Sequence, residues 1–141
     1  MQEPTIVETG KLVSTEEATK EVNSWLDFKK VGPSKREANK EQINLLIESV
    51  SDGTVTFKED KTIIQNLKFP VEGDIVTKTL EFKPRLKINE VHQNLQGVNS
   101  SNADQRILAY VAALTGKPKA FFTKLDTEDY TLPQSIAIFF L

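Results

Sequence analysis

Residues 102–141 have the sequence NADQRILAYVAALTGKPKAFFTKLDTEDYTLPQSIAIFFL, and this stretch decides the fold. Apolar residues recur every three or four positions over 107–114, which predicts a helix with one buried stripe. Gly116 and Pro118 end that helix, because glycine adopts the left-handed cap conformation and proline cannot continue a helix. The Thr-Leu-Pro-Gln segment at 131–134 has the pattern of a capping box with proline in the first turn. It predicts a last helix that runs to the end of the chain.

The last predicted helix carries the candidate partner-binding residues. Its large apolar side chains fall on one side, at positions 132, 136, 139 and 140. Adjacent phenylalanines cannot both face one narrow stripe, so Phe139 is predicted to lie in the core and Phe140 at its edge, about 100° around the helix. A large apolar residue at such an edge can anchor another helix. The candidate partner-binding residues are therefore Phe140, Leu141, Phe139 and Ile136.

Composition limits the classes of protein to which the chain can belong. Its 141 residues fit one domain, with or without an arm, and can bury a core that needs no disulfide or metal. The net charge of −2 gives no electrostatic argument for a nucleic acid or an anionic membrane. Thiolate chemistry is excluded because there are no cysteines. No signal peptide and no apolar run of roughly 20 residues is found, so a cytosolic protein is predicted.

The N-terminal part is predicted to form a loose arm and two helices. Residues 1–13 have no periodic pattern and form the arm. A capping box at 14–17 opens a helix whose apolar stripe continues until a Gly-Pro pair at 32–33. A second capping box at 34–37 opens one further helix, which an Asp-Gly pair closes at 52–53.

From residue 54 the apolar residues alternate with polar ones, which predicts three strands at 54–57, 63–70 and 76–84. Short polar turns join them, so they are expected to form an antiparallel meander with one apolar face. A short helix at 89–96 follows, and the C-terminal helices are expected to cover the apolar face. The predicted fold is α+β. Its N-terminal arm and helices occupy 1–53, and three strands with a C-terminal helical subdomain packed on one sheet face occupy 54–141.

Two groups of polar residues contain side chains that could bind a metal ion or act as a base. His92 lies near Glu90, but no further metal ligand and no nucleophile is visible, which favours a surface histidine. Asp126, Glu128 and Asp129 could bind a divalent cation. They lack the spacing of a calcium loop, and acids before a helix are favoured by the helix dipole, so capping is the preferred interpretation. No catalytic, cofactor-binding or metal-binding residue is assigned.

Basic residues at 83–87 and 117–124 would form a nucleic-acid-binding patch only if the fold brought them together. No exposed aromatic residues are interleaved with them, so no nucleic-acid partner is predicted. The glycines form no phosphate-binding loop, and there is no nucleophile elbow.

Four short segments follow one another in a distinctive order: LKFPV at 67–71, LEFKP at 80–84, LAYVAALTG at 108–116 and KLDTEDY at 124–130. This order resembles the small tail assembly chaperones of long-tailed bacteriophages, and most closely the Mu-like tail assembly family. Its members have two strands that each end near a proline, an apolar helix that ends near glycine, a Leu-Asp-x-x-Asp-aromatic turn and an apolar last helix. The resemblance covers about residues 62–141, and the helices before it are longer than the family core needs.

The resemblance implies a non-enzymatic function. Proteins of this family associate with the tape measure protein, a very long helical chain that sets tail length, and keep it soluble until tube subunits polymerise around it. Many are also made as a longer frameshifted form. The implied partner is the tape measure protein or another tail protein, and the implied location is the host cytoplasm during assembly rather than the mature virion. A helix with exposed apolar positions can bind the amphipathic helix of such a partner.

Two other classes of function stay open. A structural tail or baseplate component that is retained in the virion shares the same fold and context. An enzyme or a nucleic-acid-binding protein is disfavoured by the single histidine, the lack of cysteine and the slightly acidic net charge.

Overall fold

The computed structural model describes residues 12–141, so the predicted arm lies outside the described residues except for Leu12 and Val13. The backbone N–H groups of these two residues donate to the carbonyl of Ser51 at 2.9 and 3.1 Å. The described elements are α1 Thr15–Phe28, α2 Pro33–Ala38, α3 Lys40–Ser51, β1 Val55–Phe57, β2 Ile63–Val71, β3 Thr77–Phe82, α4 Ile88–Leu95, α5 Ala103–Thr115, a 3-10 helix Lys119–Thr123 and α6 Thr127–Ile138. These elements confirm the predicted α+β class.

The first helix, α1, forms where the sequence predicts it. Ser14 is the N-cap, and its Oγ accepts a hydrogen bond from the backbone N–H of Glu17 at 3.1 Å. The predicted apolar stripe faces inward, since all four of its members are fully buried: Ala18, Val22, Trp25 and Leu26. The helix ends at Phe28, before the Gly-Pro pair at 32–33 that was predicted to end it, and Lys30 with φ 58° cannot continue it.

The single helix predicted after Gly32 is instead two helices, α2 and α3, which are separated at Asn39. Asn39 leaves the helical region, with φ −118° and ψ 33°, and its Nδ2 donates to the carbonyl of Lys35 at 2.9 Å. Asparagine side chains compete in this way with the backbone hydrogen bonds of a helix. The predicted capping box at 34–37 is also wrong, because Gly32 is the N-cap and Pro33 occupies the first turn.

The three strands form an antiparallel sheet in the order β1-β2-β3, which confirms the predicted meander. In the middle strand Gln65 lies opposite Val55 of β1 and Leu80 of β3, and all three residues are buried. The register of β2 against β3 then shifts between Asn66 and Val71. The second half of β2 is therefore irregular, and its backbone groups need other partners.

Two apolar residues that were predicted to face the core are exposed instead. Phe69 continues the alternation of β2 in the sequence, but its side chain is 52% exposed. The register shift explains this difference, because residues 68–70 are exposed in succession and burial resumes only at Val71. Val76 lies in the turn before β3 and is also exposed.

The helices α4 and α5 follow the prediction closely. Val91 of α4 is buried. In α5 the predicted stripe is buried from Val111 onwards, but Ile107 and Leu108 are only half-buried, and Ala109 and Ala113 are buried as well, so the buried surface is wider than one stripe. Gly116 adopts the left-handed cap conformation with φ 69°, as predicted. The backbone N–H of Lys83, just after β3, donates to the carbonyl of Leu114 at 3.0 Å and joins the end of α5 to the sheet.

The last helix, α6, begins earlier than predicted. Asp126 is its N-cap, and the Oδ1 of Asp126 accepts a hydrogen bond from the backbone N–H of Glu128 at 2.9 Å. Thr131 is therefore not a capping residue, and Pro133 lies inside the helix. A proline in this position removes one backbone hydrogen bond, which is why the sequence pattern favoured a later start.

One hydrophobic core joins residues from both sides of Gly53. The C-terminal helices cover the sheet as predicted, since α5 packs on β3 and α6 packs on β2, but α3 also covers it by packing on β1 and α6. The helix α1 packs on α3 and reaches α6 through Trp25, whose ring lies edge-on to the ring of Phe139 with centroids 5.7 Å apart. The N-terminal helices thus contribute to the same core as the sheet.

We expect residues 54–141 not to fold alone. A fragment that begins at Thr54 would lose the fully buried side chains of Trp25, Leu26 and Leu46 and would expose the apolar surface that they cover. It should show no cooperative thermal transition by circular dichroism, whereas the full chain should melt cooperatively. A cooperative transition of the fragment would instead identify residues 1–53 as a separate unit.

Candidate functional site

The four candidate partner-binding residues divide into two that are buried and two that are accessible. Ile136 and Phe139 are 0% and 3% exposed, so they belong to the core and a partner cannot reach them in this structure. Phe140 is half-buried and Leu141 is 43% exposed. The structure thus places Phe139 in the core and Phe140 at its edge, as predicted, but the predicted helix to the end of the chain is wrong. The helix α6 ends at Ile138, and Phe139 and Phe140 form a tighter turn whose N–H groups donate to the carbonyls of Ile136 and Ala137.

The ring of Phe140 is held between an aromatic ring and a cation. Its centroid lies 6.2 Å from that of Trp25, which also contacts Phe139. The Nζ of Lys29, the C-cap residue that follows α1, lies 3.3 Å from the centroid of Phe140 and 5.9 Å from that of Trp25. A cation over an aromatic face is attracted by the ring quadrupole. Lys29 therefore fixes Phe140 against α1.

Two further cations lie near Lys29. The guanidinium carbon of Arg85, in the segment between β3 and α4, lies 5.9 Å from the ring centroid of Phe28. Lys35 of α2 donates from Nζ to the carbonyl oxygen of Leu141 at 3.2 Å. These groups form one surface where α1, α2, α6 and the segment after β3 meet. We call it the cationic-aromatic surface, and it comprises Phe28, Lys29, Lys35, Arg85, Phe140 and Leu141.

The three cations of this surface repel one another. Burial, followed by the positive charges of Arg85 and Lys35, lowers the pKa of Lys29 to about 8 from its usual 10.5. Within the described part of the chain, no Asp or Glu side chain forms an ion pair with any of the three. By contrast, Arg36 on the same helix as Lys35 pairs with Asp27 at 2.7 Å. In the described part of the chain the surface therefore brings together three cations that no acidic side chain pairs with, on a chain whose net charge is −2.

Of the six residues of the cationic-aromatic surface, the sequence pattern indicated only Phe140 and Leu141 as accessible to a partner. Its cations come from three separate segments, and no spacing in the sequence brings them together. The basic group suspected at 83–87 does not act as a unit, because Lys83 pairs with Glu90 at 2.9 Å while Arg85 lies over Phe28.

A buried polar junction holds α6, and with it Phe140, against β2. The side chain of Asp129 is buried, and its two carboxylate oxygens accept hydrogen bonds from the backbone N–H groups of Lys68 and Phe69 at 2.8 and 2.9 Å. Both N–H groups lie in the segment of β2 where the register shifts. The carboxylate thus takes the place that a neighbouring strand would occupy.

Gln65 supplies the hydrogen bond that Pro133 removes from α6. In a regular helix the carbonyl of Asp129 accepts from the N–H four residues later, and proline at that position has no N–H. Gln65, fully buried in the middle strand, donates from Nε2 to this carbonyl at 2.9 Å. A proline inside the helix is thus matched by a buried amide in the sheet, and this pairing was not predicted from the sequence.

The other polar candidates have ordinary structural roles. In the acidic group Asp126 caps α6 as predicted, Glu128 is exposed, and Asp129 binds β2 rather than the helix terminus. His92 is exposed on α4, as predicted for a surface histidine. Among the described residues, no group of three or more His, Cys, Asp or Glu side chains is placed to hold a metal ion.

A cavity of about 330 Å³ lies between α5, the 3-10 helix and α6. Leu108, Phe122 and Tyr130 line it together with Asp104 and Lys119. Burial, and then the negative charge of Asp104, raises the pKa of Tyr130, so its phenol is protonated at neutral pH. The described lining contains no histidine or cysteine.

Comparisons with known proteins give no match: no family model, no curated protein and no solved structure is similar to this chain. Within residues 12–141 no helix has both the length and the apolar character needed to cross a membrane. The function is therefore inferred from the cationic-aromatic surface and from the resemblance of the sequence segments.

We expect Asp129→Ala to destabilise the protein by about 3 kcal/mol, because it removes two charge-assisted hydrogen bonds and leaves backbone donors without partners. Asp126→Ala is the matched control, since loss of an N-cap costs about 1 kcal/mol. Asp129→Asn keeps one acceptor oxygen and should fall between the two. Urea unfolding of the three variants measures these differences. Equal losses for Asp126→Ala and Asp129→Ala would show that Asp129 only caps the helix.

We expect Lys29 to make the stability depend on pH in the alkaline range. Its pKa is about 8 in the folded protein and about 10.5 in the unfolded chain, so the unfolded chain binds more protons between these values. The cost of burying the charged Lys29 is therefore present below pH 8 and is lost as the pH rises towards 10.5. Relative to Lys29→Met, the unmodified protein should gain stability between about pH 7 and about pH 10 in urea unfolding. A constant difference between the two proteins would contradict this assignment.

Proposed function

We propose that this chain is a non-enzymatic tail assembly chaperone of a long-tailed bacteriophage, which binds the tape measure protein in the host cytoplasm during tail morphogenesis. The cationic-aromatic surface supports a binding role. Phe28 is 37% exposed and Leu141 is 43% exposed, and they lie beside the half-buried ring of Phe140. Aromatic residues and arginine are enriched in protein–protein interfaces, so this combination favours a protein partner.

The resemblance of four segments to the Mu-like tail assembly family supports the tail assembly context. Segment 124–130 contains Asp126, which caps α6, and Asp129, which binds β2. Segment 67–71 contains the two N–H groups that Asp129 binds. These two of the four segments therefore contact each other and fix the position of the last helix. Such mutual dependence is expected of residues that define a fold.

The proposed mode of binding is a helix that lies along the cationic-aromatic surface. A tape measure protein is a long helical chain, and an amphipathic helix offers apolar side chains at positions i, i+3, i+4 and i+7 to a partner. Phe28, Phe140 and Leu141 provide apolar contacts of this kind. Binding through side chains at the surface requires no covalent step, and the proposed function is therefore that of a reversible binder.

The second candidate is a structural tail or baseplate component that remains in the virion. The same surface would then form a permanent contact. Mass spectrometry of purified particles separates the two, because a chaperone should be absent from them and a structural component should be present in a fixed copy number.

We expect Phe140→Ala to weaken retention of the tape measure protein in a co-expression pull-down, with a modest loss of stability, because Phe140 lies at the edge of the core. Phe139→Ala should cost about 3 kcal/mol or more, since a buried phenylalanine is lost. Phe69→Ala is the matched control, because Phe69 is an exposed phenylalanine on β2 outside the proposed surface. It should leave retention unchanged.

The thermal midpoint of each variant is measured beside the pull-down, so that loss of binding is separated from loss of fold. If Phe140→Ala retains the partner as well as the unmodified chain does, the partner does not bind at the cationic-aromatic surface. If Phe69→Ala and Phe140→Ala weaken retention equally, the loss reflects general apolar exposure rather than a defined site.

A further inference from the structure

The cations of the cationic-aromatic surface have unused hydrogen-bond donors. Within the described part of the chain, neither the ammonium group of Lys29 nor the guanidinium group of Arg85 donates a hydrogen bond to another residue, and both lie over aromatic rings. The Nζ of Lys35 donates to the main-chain oxygen of Leu141 and to no side chain in the described residues. Ammonium and guanidinium groups bind carboxylates through short charge-assisted hydrogen bonds. The surface therefore offers three cationic groups to a carboxylate from outside.

The positions of these cations carry an energetic cost in the free protein. Lys29 is partly buried near Arg85 and Lys35, and its pKa is lowered for both reasons. A carboxylate that approached the three cations would offset their mutual repulsion and favour the charged form of Lys29. A negatively charged partner is therefore favoured at the cationic-aromatic surface, although the net charge of the whole chain is −2.

We propose that the partner segment bound at the cationic-aromatic surface is an amphipathic helix with acidic residues beside its apolar stripe. The inference rests on the proposed function and specifies the chemistry of the partner. Apolar side chains of the helix contact Phe28, Phe140 and Leu141, while its carboxylates pair with Lys29, Lys35 and Arg85. A nucleic acid could stack a base on Phe28, but the aliphatic Leu141 offers no ring for stacking and the whole chain carries a net charge of −2, so the surface favours a protein segment.

Two synthetic helical peptides test this chemistry directly with the full chain. One carries a leucine stripe flanked by glutamates, and the other has glutamine in place of every glutamate. Binding is followed by the fluorescence anisotropy of a dye on the peptide. The glutamate peptide should bind about tenfold more tightly at low salt, and the difference should decrease between about 0.05 M and about 0.5 M NaCl because ion pairs at the surface are screened.

Substitution of the cations locates the binding site. Lys29→Gln and Arg85→Gln should each reduce the preference for the glutamate peptide about threefold, as expected for one partly exposed ion pair. Lys117→Gln is the matched control, because Lys117 also lies over an aromatic ring, that of Phe121, with its Nζ 5.2 Å from the centroid. It should leave the preference unchanged. A DNA oligonucleotide serves as the third probe and should not compete with the glutamate peptide.

Equal binding of the two peptides, a preference that is the same in Lys29→Gln and Arg85→Gln as in the unmodified chain, or displacement of the glutamate peptide by DNA would overturn the inference. The pull-down with the tape measure protein is independent of these results. Retention of that protein without salt dependence and without an effect of Arg85→Gln would refute the acidic helix while the proposed function stands. Selective binding of the glutamate peptide without retention of the tape measure protein would support the acidic helix and refute the proposed function.

Discussion

The last helix meets the sheet through a carboxylate that accepts hydrogen bonds from two successive backbone N–H groups of the middle strand. Asp129 can do this because the register of β2 against β3 shifts at the same place, and Gln65 reinforces the contact from the regular part of the strand. Pro133 contributes to the same contact. It has no N–H, so the carbonyl of Asp129 is free to accept the hydrogen bond from Gln65. The position of α6 on the sheet is thus fixed by polar groups that have few alternative partners in the core.

The cationic-aromatic surface is a consequence of that position. With α6 fixed on β2, its C-terminal end lies beside α1, and Trp25 contacts both the ring of Phe139 in the core and the ring of Phe140 at the edge. Lys29 lies over Phe140 and is therefore partly buried. The charge of Lys29 lowers the stability of the free protein. Residues that serve binding often cost a protein stability in this way.

Local patterns predicted the meander, the Ser14 and Gly116 caps and the inward side of α6, because each depends on neighbours close in sequence. The same patterns failed where a distant residue changes the local preference. Pro133 indicated a helix start at Thr131, but Gln65 compensates for its missing N–H and lets the helix begin before it. Phe69 fitted the alternation of β2, and only the register shift against β3 exposes it. The three cations come from separate segments, so no periodicity could have joined them.

The short first strand leaves the outer half of β2 as an open sheet edge, because β1 spans only Val55–Phe57. Open edges recruit strands from other chains and are a common origin of aggregation. Here Asp129 occupies the N–H groups of Lys68 and Phe69, and the next residue, Pro70, has no N–H to offer. Three successive positions of the edge therefore present no free donor to an incoming strand. A polypeptide that meets this molecule is directed away from β-augmentation here and towards contacts made by side chains.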